Sequence, residues 1–505
     1  MQIEPQAEAF AQRYARGEAQ VVWSTLVADL ETPVSAFLKI AGSRHPSFLL
    51  ESVEGGAVRG RYSIIGLDPD LIWRTVDGNA EVNRAPRADP SGFVPCPDTP
   101  LVGLRNLIAE SQIDLPEALP PMAAGVFGYL GYDMVRLMEE LGPPNPDPIG
   151  IPEAVMVRPT IVVVFDAIKD MLMVVTPVRP DKDVAAKLAY ARAVERLSAV
   201  VDALERPLDH ASQKTPDGPL GVLSTSNTTP TEYDKMVHAA KEYIAAGDIF
   251  QVVLSQRFEA PFDLPPFALY RALRRVNPSP YLYYLDFGGY AIAGSSPEIL
   301  VKLSGGTVTI RPIAGTRPRG ATSHADKELE QELLADPKER AEHLMLLDLG
   351  RNDVGRVARI GTVKVTDQFF VERYSQVMHI VSNVVGTLNH DSDAIDALAA
   401  GFPAGTVSGA PKVRAMEIID ELEKEKRGLY AGAVGYFSAA GEMDTAIVLR
   451  TALIKDGKMY VQAGAGIVAD SDPASEQQEC VNKAKALFRA AEEAKRFASA
   501  AQRGQ

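Results

Sequence analysis

Two largely apolar runs, joined by Asp456-Gly457, form the segment Thr445-Ala-Ile-Val-Leu-Arg-Thr-Ala-Leu-Ile-Lys-Asp-Gly-Lys-Met-Tyr-Val-Gln-Ala463. An Asp-Gly pair readily adopts the left-handed conformations that a two-residue hairpin turn requires. Two strands joined by so short a turn run antiparallel, because parallel neighbours need a crossover of a dozen or more residues. This segment therefore predicts an antiparallel sheet and argues against a doubly wound parallel one.

The same pattern recurs along the chain. Hairpins are predicted where polar or glycine turns separate strand-like runs, at 160–165 with 171–176, at 281–287 with 290–293, and around Gly305-Gly306. Apolar residues at helical spacing predict helices at 184–204 and 231–246, and at roughly 325–349, 391–400, 411–424 and 473–500. We therefore predict an α+β protein, with large antiparallel β-sheets forming a sandwich-like core and helices packed outside.

The length of 505 residues exceeds what one hydrophobic core usually organises. Residues 206–229 are rich in Pro, Ser, Thr, Asp and Gly and show little periodicity, which is typical of a linker. This linker would separate an N-terminal domain, residues 20–205, from a C-terminal domain, residues 230–495.

Composition restricts the classes of function. The net charge of -14 argues against a nucleic-acid partner and against binding to anionic membranes. The two cysteines, Cys96 and Cys480, cannot form a disulfide framework or a Cys-based zinc site, which fits a reducing compartment. The polar N-terminus lacks the apolar core of a signal peptide, and charges interrupt the most apolar stretch, so no membrane span is predicted. We expect a cytoplasmic protein.

Two pairs of glutamates, Glu339 with Glu342 and Glu476 with Glu479, lie three residues apart on two predicted helices. Glu342 falls within the apolar stripe of its helix, and the second pair borders an apolar face. A carboxylate facing a core is costly unless a cation or hydrogen bonds compensate for it. Two such pairs could hold a hard divalent cation with oxygen ligands, although solvated helix faces are the ordinary alternative.

Three glycine-rich segments could bring the backbone close to an anion. They are Arg311-Pro-Ile-Ala-Gly-Thr316, Pro403-Ala-Gly-Thr-Val-Ser-Gly-Ala-Pro-Lys412 and Gly464-Ala-Gly466. None matches a phosphate-binding loop, and each alone could be a tight turn. Together with Arg450, Lys412, Lys483 and the glutamate pairs, they favour a pocket for a small, multiply anionic molecule. The absence of a G-x-S-x-G motif leaves hydrolase chemistry without support.

These motifs, with Glu342-His343, residues 348–353 and Met378-His-Ile-Val-Ser382, resemble those of the chorismate-utilising enzymes in the same order, over about residues 230–490. Leu49-Leu-Glu-Ser52 and Asn277-Pro-Ser-Pro-Tyr281 further resemble the anthranilate-forming branch of that family. The resemblance then covers nearly the whole chain.

The resemblance implies a Mg²⁺ cofactor and a set of site residues. Glu342 and Glu479 match the metal ligands, and Glu339 and Glu476 match nearby carboxylates that hold metal-bound water. Contacts to chorismate are implied for Gly315, Thr316, Tyr430, Arg450, Gly464, Ala465, Gly466 and Lys483. Glu298 matches the acid that protonates the departing hydroxyl group, His379 matches a catalytic histidine, and Thr406 lines the pocket.

The implied reaction is attack of ammonia at C2 of chorismate with loss of the C4 hydroxyl group, followed by elimination of pyruvate and aromatisation. Two positions favour it within the family. Ala314 stands where one type of aminodeoxychorismate synthase has a nucleophilic lysine, and Gln251 stands where isochorismate and salicylate synthases have a lysine base.

The resemblance also implies regulation and a partner. Ser52, Pro280, Tyr281 and Leu282 match a feedback site for L-tryptophan, and the N-terminal domain would be the tryptophan-binding part. Ammonia would come from a glutamine amidotransferase subunit in a hetero-oligomer. Two alternatives remain open: an aminodeoxychorismate or aminodeoxyisochorismate synthase that stops before pyruvate is lost, and a non-catalytic tryptophan-binding regulator.

Overall fold

The computed structural model describes residues 1–42, 44–54, 58–208, 224–374 and 377–497. The strands form one hydrogen-bonded network in which every described pair is antiparallel. Their bounds are β1 (Gln20–Val27), β2 (Ser47–Glu54), β3 (Val58–Val76), β4 (Asn79–Asn83), β5 (Val94–Pro95), β6 (Gly125–Leu130), β7 (Ala154–Asp166), β8 (Met171–Val178), β9 (Thr225–Ser226), β10 (Gln251–Pro261), β11 (Tyr281–Asp286), β12 (Ala291–Ser296), β13 (Ile299–Ser304), β14 (Thr307–Ile310), β15 (Ile313–Pro318), β16 (Lys364–Arg373), β17 (Val377–Thr387), β18 (Gly409–Ala410), β19 (Ala433–Ser438), β20 (Met443–Ile447), β21 (Thr451–Lys455) and β22 (Lys458–Ile467).

Helices flank this network. Their bounds are α1 (Ala7–Ala15), α2 (Pro33–Ile40), α3 (Pro100–Glu110), α4 (Ala186–Glu205), α5 (Pro230–Ala246), α6 (Pro266–Val276), α7 (Ser323–Ala335), α8 (Pro337–Gly355), α9 (Ala394–Gly401), α10 (Lys412–Leu422) and α11 (Pro473–Glu493). The predicted α+β class, with large antiparallel sheets and helices packed outside, is confirmed.

Strand β7 shows how the core is layered. Its side chains alternate between two faces, because successive residues of a strand point in opposite directions. Ile161 and Val163 pack in a core that includes Leu197 of α4, whereas Val162 and Val164 pack in a second core made mainly of strand residues. The strand is buried along its whole length, which explains why its sequence is almost continuously apolar.

The predicted hairpins form, with one correction. Lys455 pairs with Lys458 across the Asp-Gly turn, and β7 pairs with β8 as expected. The run 445–455, however, is two strands rather than one, because β20 ends at Ile447 and β21 begins at Thr451. Arg450, in the break, has a left-handed φ of 47°, which is incompatible with a continuous strand.

The helix predicted at 325–349 is also two helices. Asp336 adopts an extended conformation, ends α7 and caps the amides of Lys338 and Glu339 at the start of α8. Pro337 is the reason, since a proline disfavours helical conformation in the residue before it but fits the first turn of a new helix. The other predicted helices form with shifted ends; α11 ends at Glu493, and predicted residues 498–500 lie outside the described residues.

The two halves of the chain share strand pairs. Strand β2 pairs with β11, and β6 pairs with β19, so strands from both predicted domains lie side by side. Most of the predicted linker, residues 209–223, lies outside the described residues. The domain boundaries therefore stay a prediction. Among the described helices, none combines the length and apolar character needed to cross a membrane.

Candidate active site

Glu298 is a buried carboxyl group between strands β12 and β13. Its Oε1 atom accepts a 2.8 Å hydrogen bond from Thr406 Oγ1, and the backbone amide of Ile313 also donates to the carboxyl group. Burial raises the pKa of Glu298 to about 8, and both hydrogen bonds oppose this shift. A carboxyl group with this pKa is largely protonated at neutral pH, so it can act as a general acid.

His379 lies on β17 directly opposite Thr316 of β15. Its Nδ1 atom is 3.0 Å from the carbonyl oxygen of Gly315 and 3.1 Å from Thr316 Oγ1. Because a carbonyl oxygen only accepts, Nδ1 carries the proton of the neutral ring and Nε2 keeps a lone pair. Burial lowers the pKa of His379 to about 4, and Nε2 has no hydrogen-bond partner within the described residues. The ring can therefore accept a proton at Nε2.

Gly315 brings the backbone of β15 close to helix α8. It has a left-handed φ of 73°, at an irregularity in the pairing with β17 between Ala314 and Thr316. A Cβ atom at this position would lie 3.1 Å from Oε2 of Glu339 and 3.2 Å from Leu333. Both the conformation and the lack of space favour glycine here.

Arg450 presents a cation that no described side chain neutralises. Its guanidinium group makes no hydrogen bond or ion pair within the described residues, and burial lowers its pKa. Its carbonyl oxygen accepts a 3.2 Å hydrogen bond from the amide of Ser295, which fixes the break between β20 and β21. Arg450 is half-buried, and a partly desolvated cation with no partner among the described side chains is well suited to bind a carboxylate.

The glycine-rich end of β22 lies beside Tyr430 and Lys483. Gly464, Ala465 and Gly466 pair with β10, and a Cβ atom on Gly464 would lie only 2.9 Å from the Tyr430 hydroxyl oxygen. Lys483 of α11 donates a 2.8 Å hydrogen bond to the Gly464 carbonyl oxygen. The predicted backbone contacts and two of the predicted side chains are thus brought together.

Electrostatic and ring contacts connect these groups into one site. Burial is the main cause of the low pKa of His379, and the positive charges of Arg450 and Lys483 contribute to it. The ring of Tyr374 lies 5.5 Å from that of His379, centroid to centroid. The pKa of the Tyr374 hydroxyl group is raised mainly by burial and also by the charge of Glu298. One region of the structure therefore holds the acid, the histidine and both cations: Glu298, His379, Arg450 and Lys483.

The glutamates of α8 and α11 also approach one another. Burial raises the pKa of Glu342, and the charges of Glu339 and Glu479 raise it further. Glu479 forms a 2.7 Å ion pair with Lys483, whereas Glu342 has no ion pair or hydrogen bond among the described residues. Burial raises the pKa of Glu476 too. These shifts show negative charge that no nearby cation fully balances.

This donor set fits a magnesium ion bound with its substrate. In the described ranges, no group of three His, Cys, Asp or Glu side chains is placed to hold a metal ion. Mg²⁺, however, commonly binds through one or two carboxylates together with water and an anionic substrate. Glu342 and Glu479 could supply those two carboxylates, and a divalent cation would relieve their mutual repulsion.

The residues predicted to bind tryptophan form a second cluster. Ser52 of β2 lies directly opposite Tyr281 of β11, and Leu282 is the next residue of that strand. Ser52 donates a 3.0 Å hydrogen bond to the carbonyl oxygen of Tyr62, and Pro280 immediately precedes β11. The fold therefore brings both halves of the predicted site together.

Arg427 supports the site, although no sequence motif pointed to it. Arg427 forms a buried ion pair with Glu423 at 2.6 Å and lies 5.5 Å from the ring centroid of Tyr430. It also donates hydrogen bonds to the carbonyl oxygens of Val253 and Val407. Both residues lie beyond the end of α10 at Leu422, where a glutamate and an arginine four positions apart give no sequence signal of a buried pair.

Three other residues that were named from the sequence are buried. Lys412 is buried and binds both carboxylate oxygens of Asp353 at 3.0 Å, so its charge is already paired. Ala314 is buried beside Gly315. Gln251 is buried against β22, and a Cβ atom on Gly466 would lie 2.4 Å from its Nε2 atom.

Comparison with known proteins gives the class of this chain. The family model for chorismate binding enzymes matches residues 75–489. The chain therefore belongs to the chorismate-binding enzyme family.

Its relatives define the branch of that family. Anthranilate synthase component 1 of Cereibacter sphaeroides is 57% identical over 500 residues, which cover 98% of this chain and 99% of that protein. Anthranilate synthase component 1 of Pseudomonas aeruginosa is 48% identical over 481 residues, covering 92% and 94%. The crystal structure of anthranilate synthase component I from Streptococcus pneumoniae, 38% identical, superimposes with a TM-score of 0.75 over 92% of this chain and 99% of that one. At these identities and coverages, the chain belongs with the anthranilate synthase component 1 proteins.

Proposed function

We propose that this chain converts chorismate and ammonia to anthranilate, pyruvate and water. Ammonia forms the new C–N bond at C2 of chorismate, and the C4 hydroxyl group leaves as water after it is protonated. Elimination of pyruvate then yields the aromatic ring. The names of the relatives support this reaction, and Ala314 and Gln251 argue against the lysine-dependent reactions of the same family.

The buried carboxyl group of Glu298 is the observation on which this proposal mainly rests. With a pKa raised to about 8 by burial, it holds a proton at neutral pH. A hydroxide ion is a poor leaving group, so proton donation to the C4 oxygen is what the first step needs. Thr406 orients the acid by donating a hydrogen bond to Oε1, and the protonated carboxyl group can in turn donate its hydrogen to the substrate.

The remaining groups bind the substrate and complete the proton transfers. Arg450 and Lys483 offer positive charge to the carboxylates of chorismate. Thr316, Tyr430 and the backbone of residues 464–466 contact the ring and its substituents. His379 accepts a proton at its free Nε2 atom during the elimination and aromatisation.

Mg²⁺ is part of the proposal, with Glu342 and Glu479 as its ligands and Glu339 and Glu476 beside it. When bound, the ion would neutralise a carboxylate of the substrate and hold it in place. The raised pKa of Glu342, caused by burial and by neighbouring carboxylates, supports a cation at this position.

The similarity to anthranilate synthase component 1 proteins supplies a biological setting for this proposal. Ammonia would be supplied by a glutamine amidotransferase subunit bound to this chain in the cytoplasm, and the reaction would begin the committed route to L-tryptophan. L-Tryptophan would bind at Ser52, Pro280, Tyr281 and Leu282 and inhibit the enzyme. The pairing of Ser52 with Tyr281 supports that site.

An anthranilate assay tests the proposal. The purified chain, given chorismate, Mg²⁺ and ammonium at a pH above 8, should produce the fluorescence of anthranilate, and L-tryptophan should suppress it. Mass analysis separates anthranilate from an aminodeoxychorismate that retains the pyruvyl group. Intact chorismate after prolonged incubation would contradict the proposed function, and tryptophan binding without turnover would favour the non-catalytic regulator.

A further inference from the structure

Arg317 binds three carboxylates at the junction of helices α7 and α8. Its Nε atom donates to Glu332 at 2.9 Å, Nη2 donates to Asp336 at 2.8 Å, and Nη1 donates to Glu339 at 2.9 Å. Asp336 is also the residue that caps α8. A planar guanidinium group holds its partners in fixed directions, so Arg317 fixes both the start of α8 and the orientation of Glu339.

This arrangement holds Glu339 against strand β15. One oxygen of its carboxylate is bound to Arg317, and the other lies 3.1 Å from the position of a Cβ atom on Gly315. Glu342, one turn further along α8, has no such partner among the described residues. Arg317 therefore binds Glu339 but not Glu342, although these two glutamates lie three residues apart on the same helix.

We propose that Arg317 is a positioning residue that withholds Glu339 from the divalent cation, so that the cation binds firmly only together with an anionic substrate. This inference rests on the proposed function and its Mg²⁺ site. The affinity of a site for a hard cation increases with the number of carboxylate ligands. Two carboxylates balance the charge of the ion and leave coordination positions open for the substrate, whereas a third would make the site net negative, bind the ion tightly and repel the substrate carboxylate.

The sign of the expected effect distinguishes this role from a merely structural one. Arg317→Gln removes a positive charge and frees a carboxylate, and both changes favour a divalent cation. In the absence of chorismate, the variant should therefore bind Mn²⁺ about threefold more tightly or better, as measured by electron paramagnetic resonance. The KM for chorismate should rise while kcat changes less, since the added negative charge opposes substrate binding.

Arg319→Gln is the matched control. Arg319 lies just beyond the same strand and binds Asp326 at 2.9 and 2.7 Å, but among the contacts of the described residues it has none with the predicted metal-site glutamates. Its loss should leave Mn²⁺ affinity unchanged. Adding Glu339→Gln to Arg317→Gln removes the freed carboxylate and should reverse most of the gain in affinity.

Equal or weaker Mn²⁺ binding by Arg317→Gln, with Arg319→Gln unchanged, would overturn the inference. If Arg317→Gln folds poorly, Arg317→Lys retains the charge but cannot hold three carboxylates, and it should still bind Mn²⁺ more tightly than the unmodified protein; no gain there would also overturn it. Mn²⁺ binding needs no turnover, so a failure of the anthranilate assay remains distinguishable from a failure of this inference.

Discussion

Thr406 donates a 2.8 Å hydrogen bond to the buried carboxyl group of Glu298, although the two residues are 108 positions apart in the chain. The threonine belongs to the short 3₁₀ segment Gly405–Val407, and the glutamate follows β12. The fold thus places a neutral hydroxyl group within hydrogen-bond distance of the carboxyl group that is proposed to protonate the substrate. Because this hydrogen bond lowers the pKa of Glu298 while burial raises it, Thr406 tunes the acid as well as orienting it.

Replacing Thr406 with valine should move the pH dependence of the reaction. Without the hydroxyl group, the pKa of Glu298 should rise above its value of about 8, and the carboxyl group should stay protonated to a higher pH. The alkaline limb of the profile of kcat/KM should shift upward, while the maximal rate falls by about tenfold through poorer orientation. Thr160→Val provides a control, because the Thr160 hydroxyl group is bound to a carbonyl oxygen in the N-terminal half. A limb that stays in place or moves to lower pH would contradict the assignment.

Glu298→Gln should inactivate the enzyme and stabilise the fold. Losing the general acid should reduce kcat by about 100-fold or more, since no proton is available for the leaving hydroxyl group. The wild-type carboxyl group has a pKa of about 8 when folded and an ordinary value of 4.5 when unfolded. Between these values only the unfolded state is ionised, so wild-type stability falls as pH rises from 4.5 to 8.

Glutamine does not ionise, so the variant avoids this loss. The free energy of unfolding should therefore be larger for Glu298→Gln by on the order of 2 kcal/mol at pH 7 to 8, and the difference should shrink toward pH 4.5. Denaturant titrations at pH 5 and pH 8 measure it. Equal stabilities at both pH values would show that Glu298 ionises normally in the folded protein.

The sequence predicted the strand pairs more reliably than the element ends. Asp456-Gly457 determines its hairpin through local backbone preferences, and the pairing of Lys455 with Lys458 bears this out. The break at Arg450 could not be predicted in this way, because an arginine rarely adopts a φ of 47° without tertiary contacts to hold it. The break before Pro337, by contrast, follows from the rule that a proline disfavours helical conformation in the residue before it. The apolar spacing that continues across the proline nevertheless favoured a single helix.

The same distinction applies to the candidate site. Glycines and glutamates could be assigned because motifs in the chain order of a known family carry them. Arg317 and Arg427 could not, because their importance lies in which distant groups they contact. Arg427, for example, binds the carbonyl oxygens of Val253 and Val407, which come from different elements of the fold. Only the folded chain shows such contacts.

Ser52→Phe should abolish tryptophan inhibition and leave catalysis intact. Ser52 lies opposite Tyr281, so a bulky ring would occupy the space proposed for tryptophan, whereas none of the predicted chorismate contacts adjoins it in the β2–β11 pair. The concentration of L-tryptophan that halves the rate should rise by at least about tenfold, and direct tryptophan binding should weaken with it. Ser304→Phe, in the β13–β14 hairpin, should retain normal inhibition. An unaltered inhibition curve for Ser52→Phe would place the tryptophan site elsewhere.

Glu342→Gln should abolish the reaction at low concentrations of Mg²⁺. Because burial and the charges of Glu339 and Glu479 raise the pKa of Glu342, protons should compete with the cation at a higher pH than at an ordinary glutamate. Mg²⁺ affinity of the wild type should accordingly weaken as pH falls, and this pH dependence should be reduced in the variant, together with a loss of affinity of at least about tenfold. Asp348→Asn, an exposed carboxylate on the same helix paired with Arg351, should behave as wild type. Unchanged turnover of Glu342→Gln at limiting Mg²⁺ would mean that the ion is held by other residues. A carboxylate that binds the metal cannot be neutralised without weakening the binding of the ion.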